Sequence, residues 1–581
     1  MFRLTFPILS ITLWAILTSL SAYAGAAVEV KIDGVSGELL DNVRAYLSIE
    51  QQKGEAELDT NRLQRLHKRA TGEIHRALQP FGYYKVTVDA TLVEENDKWV
   101  AHYRIELGPP ARISAVDIQL SGEGRDDPEF QKLLATPPLK VGDILDHRQY
   151  ENLKQSLQNL AAERGYFEFT LPLHEVRIDP AQENATVTLH ADTGPRFHFG
   201  ATKFDQDALR PELLARYPKF KQGDPYHADG LLDLQVALFD SDYFSSVEIN
   251  PRRDEVVDDE VPVEVRLLPR PRHLYTAGAG FGTDSGPRLR LGWENRRIND
   301  RGHRMNADYR ISAIRESLGA RYRIPVRNPR TDEISFTTSW TDDHPETSDS
   351  ETFLLGIGRT LGKRSGWLET TYLNYQTERF SVGEDSGQSE LVLPGITYSK
   401  VRADNRSYPL HGWRLWTDLR GTHTGLGSDV QFLQWRGQGK WIQGIFDDSR
   451  LLLRGDVGTT LLNDVRDLPA SVRFFAGGDQ SVRGYDFNSL GPRDASGQVV
   501  GGENLLVGSI EYEYRFREKF SGAVFYDIGN ALDNLQDPLE RGAGFGLRWH
   551  SPIGPVRVDL AWALSEPGVP VRLHLNVGPD L

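Results

Sequence analysis

The residues best suited to chemistry in this chain are three charged side chains well separated in sequence. Arg483 lies in the glycine-rich stretch Phe475-Ala476-Gly477-Gly478-Asp479-Gln480-Ser481-Val482-Arg483-Gly484-Tyr485, and two carboxylates, Glu511 and Asp527, follow downstream. Glu511 sits next to Tyr512 and Asp527 next to Tyr526 in segments that alternate polar and apolar residues, so each carboxylate falls on a polar strand face. A guanidinium that a loop carries to carboxylates on a wall forms charge-assisted, bidentate bonds that a lysine cannot copy. Gly484 lets the backbone turn sharply beside it. The chemistry of such a set is anchoring. The bland alternative is one more solvated loop arginine, whose pairing would contribute little.

Bond-making chemistry has no comparable candidates. There is no Gly-x-Ser-x-Gly elbow, no phosphate-binding lysine loop and no His-Glu-x-x-His pair, and the 15 histidines are scattered without ligand spacing. With no cysteine in 581 residues, disulfides and cysteine-ligated metals are excluded. Two glycine runs, Gly278-Ala279-Gly280-Phe281-Gly282 and Gly542-Ala543-Gly544-Phe545-Gly546, read as strand faces kept small so that another segment can approach closely. No catalytic residue, cofactor or metal is expected.

The elements that must position Arg483 and its acceptors are strands. From about Arg272 to Leu581, apolar and polar residues alternate in short runs: Met305, Ala307, Tyr309 and Ile311 against Asn306, Asp308 and Arg310; Val556, Val558, Leu560 and Trp562 against Arg557 and Asp559; Val571, Leu573, Leu575 and Val577 against Arg572, His574 and Asn576. A soluble β-sandwich alternates in the same way as a transmembrane barrel. Three features favour the barrel. About 300 residues of strands exceed an ordinary sandwich of roughly 100. Aromatic residues recur near strand ends, at Trp413, Trp416, Trp549 and Trp562, as in interfacial girdles. Residues 1–24 read as a secretory signal peptide, with Arg3, an apolar core from Ile8 to Leu20 and the site Ala22-Tyr23-Ala24; an uncleaved anchor is the alternative. No later run approaches the ~20 apolar residues of a spanning helix, so a membrane form must be a closed barrel. The net charge of −15 argues against nucleic acid as a partner. The mean hydropathy of −0.45 is no obstacle, because spanning strands are barely visible to hydropathy.

Ahead of the barrel, helical spacing appears three times: Leu63, Leu66, Ala70, Ile74 and Leu78; Tyr150, Leu153, Leu157 and Leu160; Leu231, Leu234 and Leu238. Each run ends in an aromatic turn, Gly82-Tyr83-Tyr84, Gly165-Tyr166-Phe167 and Asp242-Tyr243-Phe244, and a strand follows. The turns recur after 83 and then 77 residues, a repeat of domain size. Gly142-Asp143 and Gly223-Asp224 precede the second and third helices as helix-start signals. Proline-marked breaks at Pro109-Pro110, Pro195 and Pro269-Arg270-Pro271 delimit three α+β units, 25–108, 109–194 and 195–271, followed by a barrel at 272–581. Their sheet edges either accept a partner's strand or are blunted and make the units spacers.

The glycine-rich stretch through Arg483-Gly484-Tyr485 resembles the conserved loop of the Omp85 superfamily. Phe525-Tyr526-Asp527-Ile528-Gly529-Asn530 is similar to its Phe-x-Asp-x-Gly strand, and Gly544 to Ala561, with Arg548-Trp549 and Ser551-Pro552-Ile553-Gly554-Pro555, to its closing strands. The resemblance implies polypeptide-transport-associated (POTRA) domains in the periplasm and an all-β outer-membrane barrel of 16 antiparallel strands. It also implies a lumen loop anchored through Arg483, Gly484 and Tyr485, with Asp527 and Glu511 as acceptors. Within the superfamily, three repeats resemble the TamA branch, of the translocation and assembly module. That branch implies help in inserting or translocating unfolded outer-membrane proteins and autotransporters, in contact with outer-membrane lipid and an elongated, inner-membrane-anchored partner resembling TamB. The resemblance further implies opening between the first and last strands, roughly His273 to Gly282 and Val571 to Val577, with Gly278, Gly280 and Gly282 weakening the first strand and Leu573, Leu575 and Val577 on the last. The rival expectation is a two-partner-secretion transporter that exports one dedicated protein.

Overall fold

The computed structural model describes residues 28–53, 58–95, 98–405, 408–551 and 554–577. The signal peptide expected at residues 1–24 lies outside these, as do Pro552 and Ile553 of the closing-strand motif. The chain forms two compact units, one running through Gly200 with Gln222–Asp229 and Asp254–Val261, the other holding the rest.

The first unit contains two units of one plan. In the first, β1 (Val28–Asp33) is followed by α1 (Gly37–Tyr46), α2 (Ser48–Gln52), α3 (Thr60–Leu78), β2 (Thr87–Glu95) and β3 (Lys98–Glu106). The sheet order is β1-β3-β2, with β1 parallel to β3 and β2 antiparallel to it. The apolar stripe of α3, Leu63, Leu66, Ala70, Ile74 and Leu78, is buried against Ala101, Tyr103 and Ile105 of β3, as its spacing requires. The second repeats this with β4 (Arg112–Ser121), α4 (Pro128–Ala135), α5 (His147–Arg164), β5 (Thr170–Asp179) and β6 (Asn184–Asp192), in the order β4-β6-β5. A third three-stranded sheet, β7-β9-β8, is built from β7 (His198–Asp205), β8 (Phe244–Pro251) and β9 (Glu260–Pro269), with α6 (Pro211–Leu214) and α7 (Ala228–Asp240) between β7 and β8.

Two sequence expectations change here. Asp143 and Asp224 do not start helices; α5 is capped by Asp146, whose side chain accepts from Arg148 N. The Gly-Asp pairs instead make tight turns that bond back to the opening strand. Ile113 N donates to Asp143 O at 2.9 Å and Phe199 N to Asp224 O at 2.8 Å. The aromatic turns share a backbone reason: Gly82, Gly165 and Asp242 all have positive φ, at 87°, 83° and 61°. Asp242 bears that conformation without being glycine, and its carboxylate accepts from Arg270 Nη1 at 2.7 Å and Arg296 Nε at 2.6 Å.

Within the second unit, the α7 end of the third domain is tied to the turns at the foot of the barrel. Asp233 takes a bidentate pair from Arg330 at 2.6 and 3.1 Å. Tyr243 donates its hydroxyl to Gly302 O at 2.5 Å, while the Arg304 guanidinium lies 4.1 Å from the Tyr243 ring centre. The Arg330 pair pulls the Asp233 carboxyl down to about 2.

The barrel is one 16-stranded antiparallel sheet in sequence order from β10 (His273–Gly282) to β25 (Val571–Val577). Its residue distribution is inverted relative to a soluble domain. Leu291, Leu318, Phe336, Leu355, Leu373 and Val524 are exposed, whereas Arg450, Glu513, Asp527, Arg548, Asp559 and His574 are buried inside. Among the described residues no helix is long and apolar enough to cross a membrane. Trp413 lies across from Trp441 in the expected outward register, but Trp416 shares the parity of the buried Asp418 and belongs to the inner face. The girdle reading therefore does not hold for Trp416, because a one-residue change of parity turns a side chain to the opposite face.

Strand lengths are uneven. β16 (Leu368–Val382) and β17 (Asp385–Ala403) have 15 and 19 residues, while β10 has 10 and β25 only 7. Among the described residues no ladder joins β10 to β25. Their backbone link is Thr283 N to Leu575 O at 3.4 Å, beside a bond from Leu575 N to Thr283 Oγ1 at 3.1 Å.

Candidate functional site: a loop anchored in the barrel lumen

Residues 462–503 connect β20 (Ser449–Leu461) to β21 (Asn504–Arg517) and fold into the barrel. The segment has its own scaffold. Phe474 and Gly502 exchange backbone bonds at 3.1 and 2.9 Å, and Ala476 and Leu490 at 3.0 and 2.9 Å. Phe474, Ala476, Val482, Tyr485 and Leu490 pack against Leu505, Val507, Ala531 and Ala563 of the inner wall. The loop is thus held by burial before any charge is considered.

Arg483, with a side chain 6% exposed, reaches three strands. Its Nε and Nη2 donate to Asp527 at 2.7 and 2.9 Å, and its backbone N–H donates to the same carboxylate at 3.1 Å. Asp527 is on β22 (Phe520–Leu532) and is completely buried. Nη1 donates to Glu511 of β21 at 2.7 Å and to Asp559 of β24 (Gly554–Ala563) at 3.1 Å. The guanidinium carbon sits 3.4 Å from the centre of the Phe525 ring. Arg548, on β23 (Glu540–Ser551), closes the network by donating to Glu511 at 2.8 Å and to Asp559. Arg454 brings a third guanidinium, donating to Ser481 O at 2.7 Å.

Each residue of the triplet therefore has its own contact. Gly484 N–H donates to His574 Nε2 on β25 at 2.9 Å. At Gly484 φ is +99°, and a Cβ would lie 2.9 Å from the backbone of Trp562 and Ala563, so only glycine fits. The Tyr485 hydroxyl donates to Arg541 O at 3.1 Å. In the run Gly542 to Gly546 the small residues allow close approach as expected, of the loop at Gly542, where a Cβ would come within 2.0 Å of Arg483 O, and of wall residues at Gly544 and Gly546. Gly278 differs, having open space where a Cβ would stand, and Gly280 meets Arg288 only at 3.9 Å. Within the first glycine run close approach is confined to Gly282, where a Cβ would lie 3.0 Å from Ser285 Oγ.

The structure brings Arg483, Asp527 and Glu511 together. Asp559 and Arg548 complete the set, and sequence reasoning assigned them no role there. Both lie on polar strand positions, but matching them to Arg483 requires the register of β22–β24, which periodicity does not contain. Gly278, Gly280 and Gly282 lie on β10, and Leu573, Leu575 and Val577 on β25.

One cluster has the outline of a metal site: ligand atoms of Asp284, Asp479 and His574 lie within 4.8 Å of one another. His574 has both ring nitrogens engaged, however. Nε2 accepts from Gly484 N–H, so Nδ1 bears the proton and donates to Asp479 Oδ1 at 2.5 Å. The arrangement is a hydrogen-bonded clasp.

Comparison with known proteins fixes the family. Residues 284–578, just over half of the chain, match the Omp85 superfamily domain. The chain belongs to the Omp85 superfamily. Residues 29–107 match the first POTRA domain of TamA, and 112–193 match a POTRA model described as a surface antigen variable number repeat. Relatives include the outer membrane protein assembly factor BamA of Nitratidesulfovibrio vulgaris, 24% identical over 61% of this chain and 47% of that one, and BamA of Neorickettsia risticii, 22% identical over 84% and 68%. The chain thus spans about half the length of the first relative. A crystal structure of Haemophilus ducreyi BamA lacking POTRA domains 1–3 shares the fold, with a TM-score of 0.67 at 15% identity, covering 81% of this chain and 99% of that one. As an Omp85 protein the chain resides in the outer membrane with its POTRA domains in the periplasm. β10 starts at the periplasmic end, and the loop of Arg483 enters the lumen from the opposite, outer side.

Proposed function

We propose that this protein assists insertion and translocation of unfolded outer-membrane proteins and autotransporters through a barrel that opens laterally between β10 and β25. The observation that carries this is the seam. Sixteen strands are paired in order, yet no ladder joins the last to the first among the described residues. Unpaired N–H and C=O groups facing lipid are costly, and a substrate strand that pairs with them removes that cost. Arg483, Gly484 and Tyr485, with Asp527 and Glu511 as acceptors, hold the lumen loop. Gly278, Gly280 and Gly282 keep the first strand weak, and Leu573, Leu575 and Val577 form the opposing edge. The match of residues 29–107 to the first POTRA domain of TamA supports a TamA-like role with a TamB-like, inner-membrane-anchored partner.

The absence of native cysteine allows a direct test. Cysteine pairs across β10 and β25, beginning with Phe281→Cys and Val577→Cys beside the Thr283–Leu575 contact, are oxidised in a folded barrel. Locking the seam abolishes substrate insertion and reduction restores it; full activity of the locked form refutes lateral opening. Cross-linking to several barrel precursors separates this function from export of one dedicated protein.

A further inference from the structure

We propose that Asp479 is a latch that holds β10 and β25 together from inside the lumen, making Asp479, His574 and Thr283 positioning residues for the opening of the seam. The inference rests on the lateral-opening reading and adds what keeps the seam shut.

The case begins with one carboxylate. Asp479 Oδ1 accepts from His574 Nδ1 on β25 at 2.5 Å and from Thr283 Oγ1, immediately after β10, at 3.1 Å. Thr283 Oγ1 in turn accepts from Leu575 N of β25 at 3.1 Å. The Asp479 N–H donates to Asp284 Oδ2, one residue further from β10, at 2.7 Å. A loop residue thus bonds to both edges of a seam that lacks a ladder. His574 and Asp479 have side chains only 2% and 8% exposed, so water competes poorly for these bonds.

The second point is how Asp479 is held. Gly477 N donates to Ser481 Oγ at 3.1 Å and Gly478 N to Val482 O at 3.2 Å, closing a tight turn around it. Four residues on, Arg483 is fixed to β21, β22 and β24, and Gly484 N–H fixes the His574 tautomer that donates to Asp479. The Arg483-Gly484-Tyr485 triplet sets the loop's depth, and Asp479 uses that position to reach the seam. Losing Asp479 therefore loosens the seam while leaving the Arg483 network intact.

The test measures the seam itself. Spin labels on β10 and β25 give the distance distribution across it in the full-length protein in lipid nanodiscs. Asp479→Ala is expected to raise the open-seam population at least about tenfold, the lower end of what losing one hydrogen bond to a charged group produces. Asp479→Asn keeps an acceptor oxygen for His574 and Thr283, so its effect is smaller. Arg493→Ala, elsewhere in the loop, leaves the distribution unchanged, and heat-modifiable gel mobility confirms the folded barrel. Unchanged distances and unchanged β10 amide exchange in folded Asp479→Ala overturn the latch. A seam that opens without any change in substrate insertion sustains the latch and refutes the lateral-opening function.

Discussion

Replacing Arg483 with alanine should release the lumen loop, and the structure sets the size of the effect. The wild-type cluster holds three guanidiniums, Arg454, Arg483 and Arg548, and three carboxylates, Glu511, Asp527 and Asp559. Asp527, fully buried, receives three of its bonds from Arg483, with a fourth from Ser509 Oγ at 2.5 Å. Arg483→Ala removes the two side-chain bonds and leaves a buried negative charge without its cation, which costs about 3–5 kcal/mol. At ~1.4 kcal/mol per decade, even the lower bound makes the released loop about a hundredfold more populated. A single Val482→Cys in the cysteine-free chain reports this, because Val482 is fully buried and its thiol reacts only when the loop leaves the wall. Labelling should accelerate about a hundredfold or more in Arg483→Ala. Arg483→Lys keeps the charge but not the bidentate fork, so labelling falls in between. Adding Asp527→Asn to Arg483→Ala removes the orphan charge and should recover at least tenfold of the acceleration. A labelling rate within threefold of the parent in Arg483→Ala, with the barrel folded, refutes the anchoring argument.

Two other predictions follow from local geometry. Gly542→Ala places a Cβ 2.0 Å from Arg483 O and should destabilise the loop by about 1–3 kcal/mol, read by the same thiol labelling, whereas Gly278→Ala meets open space and should stiffen β10 with a gain of about 0.5–1 kcal/mol. At the foot of the barrel, the Asp233 carboxyl is pulled from 3.8 to about 2 by Arg330 first and by Lys219, 3.0 Å away, second, and its side chain is 29% exposed. Because the folded value is depressed, the stabilisation, about 2 kcal/mol, is complete above pH ~4 and lost as pH falls through about 2. Asp233→Asn should show that loss already at pH 7, as greater mobility of a spin label on α7; equal mobility to wild type at pH 7 would dismiss the pair as a docking contact.

How much of this was legible depends on the range of the information required. Alternation and helical spacing are local, so Leu63 to Leu78 and the alternating strands of the C-terminal half were readable, whereas choosing a barrel over a sandwich also needed the length of the strand region, its aromatic ends and the export signal, and the first and last strands came with the family resemblance. Leu63 must bury with Leu66 and Ala70 whatever surrounds α3. β1, α2 and α4, of six, five and eight residues, were missed because each is too short to establish a period, whereas the ten-residue β4, with Val116, Ile118 and Leu120 alternating against Asp117 and Gln119, carried a legible signal that went unassigned. Asp143 was misplaced because an acidic residue ahead of a helix looks alike whether it caps or turns; only Asp146 has the geometry to accept from Arg148 N. At the site, Arg483, Asp527 and Glu511 were readable from their loop and strand settings. Asp559 and Arg548 required inter-strand register, and Asp479 required knowing how deep the loop goes.

These contacts also divide the labour between two edges of the same seam. β25 is paired with β24 over seven residues and receives Gly484 N–H, so the loop and the closing strands form one connected block. Among the described residues β10 forms a ladder only with β11 (Gly286–Asn295), and it meets the loop through Thr283 and Asp284 just beyond its end. Moving β10 away therefore breaks the contacts of Thr283 and Asp284 and little else. Moving β25 away breaks the His574 bonds as well, including the one that positions the Arg483 turn. The weaker side is the one nearest the POTRA domains in sequence, and the third of these is held to the barrel foot by Asp233 and Tyr243. In the proposed lateral opening, outward movement of β10 preserves the anchor throughout, so a buried six-charge network is compatible with an adjacent seam that, among the described residues, has no strand ladder.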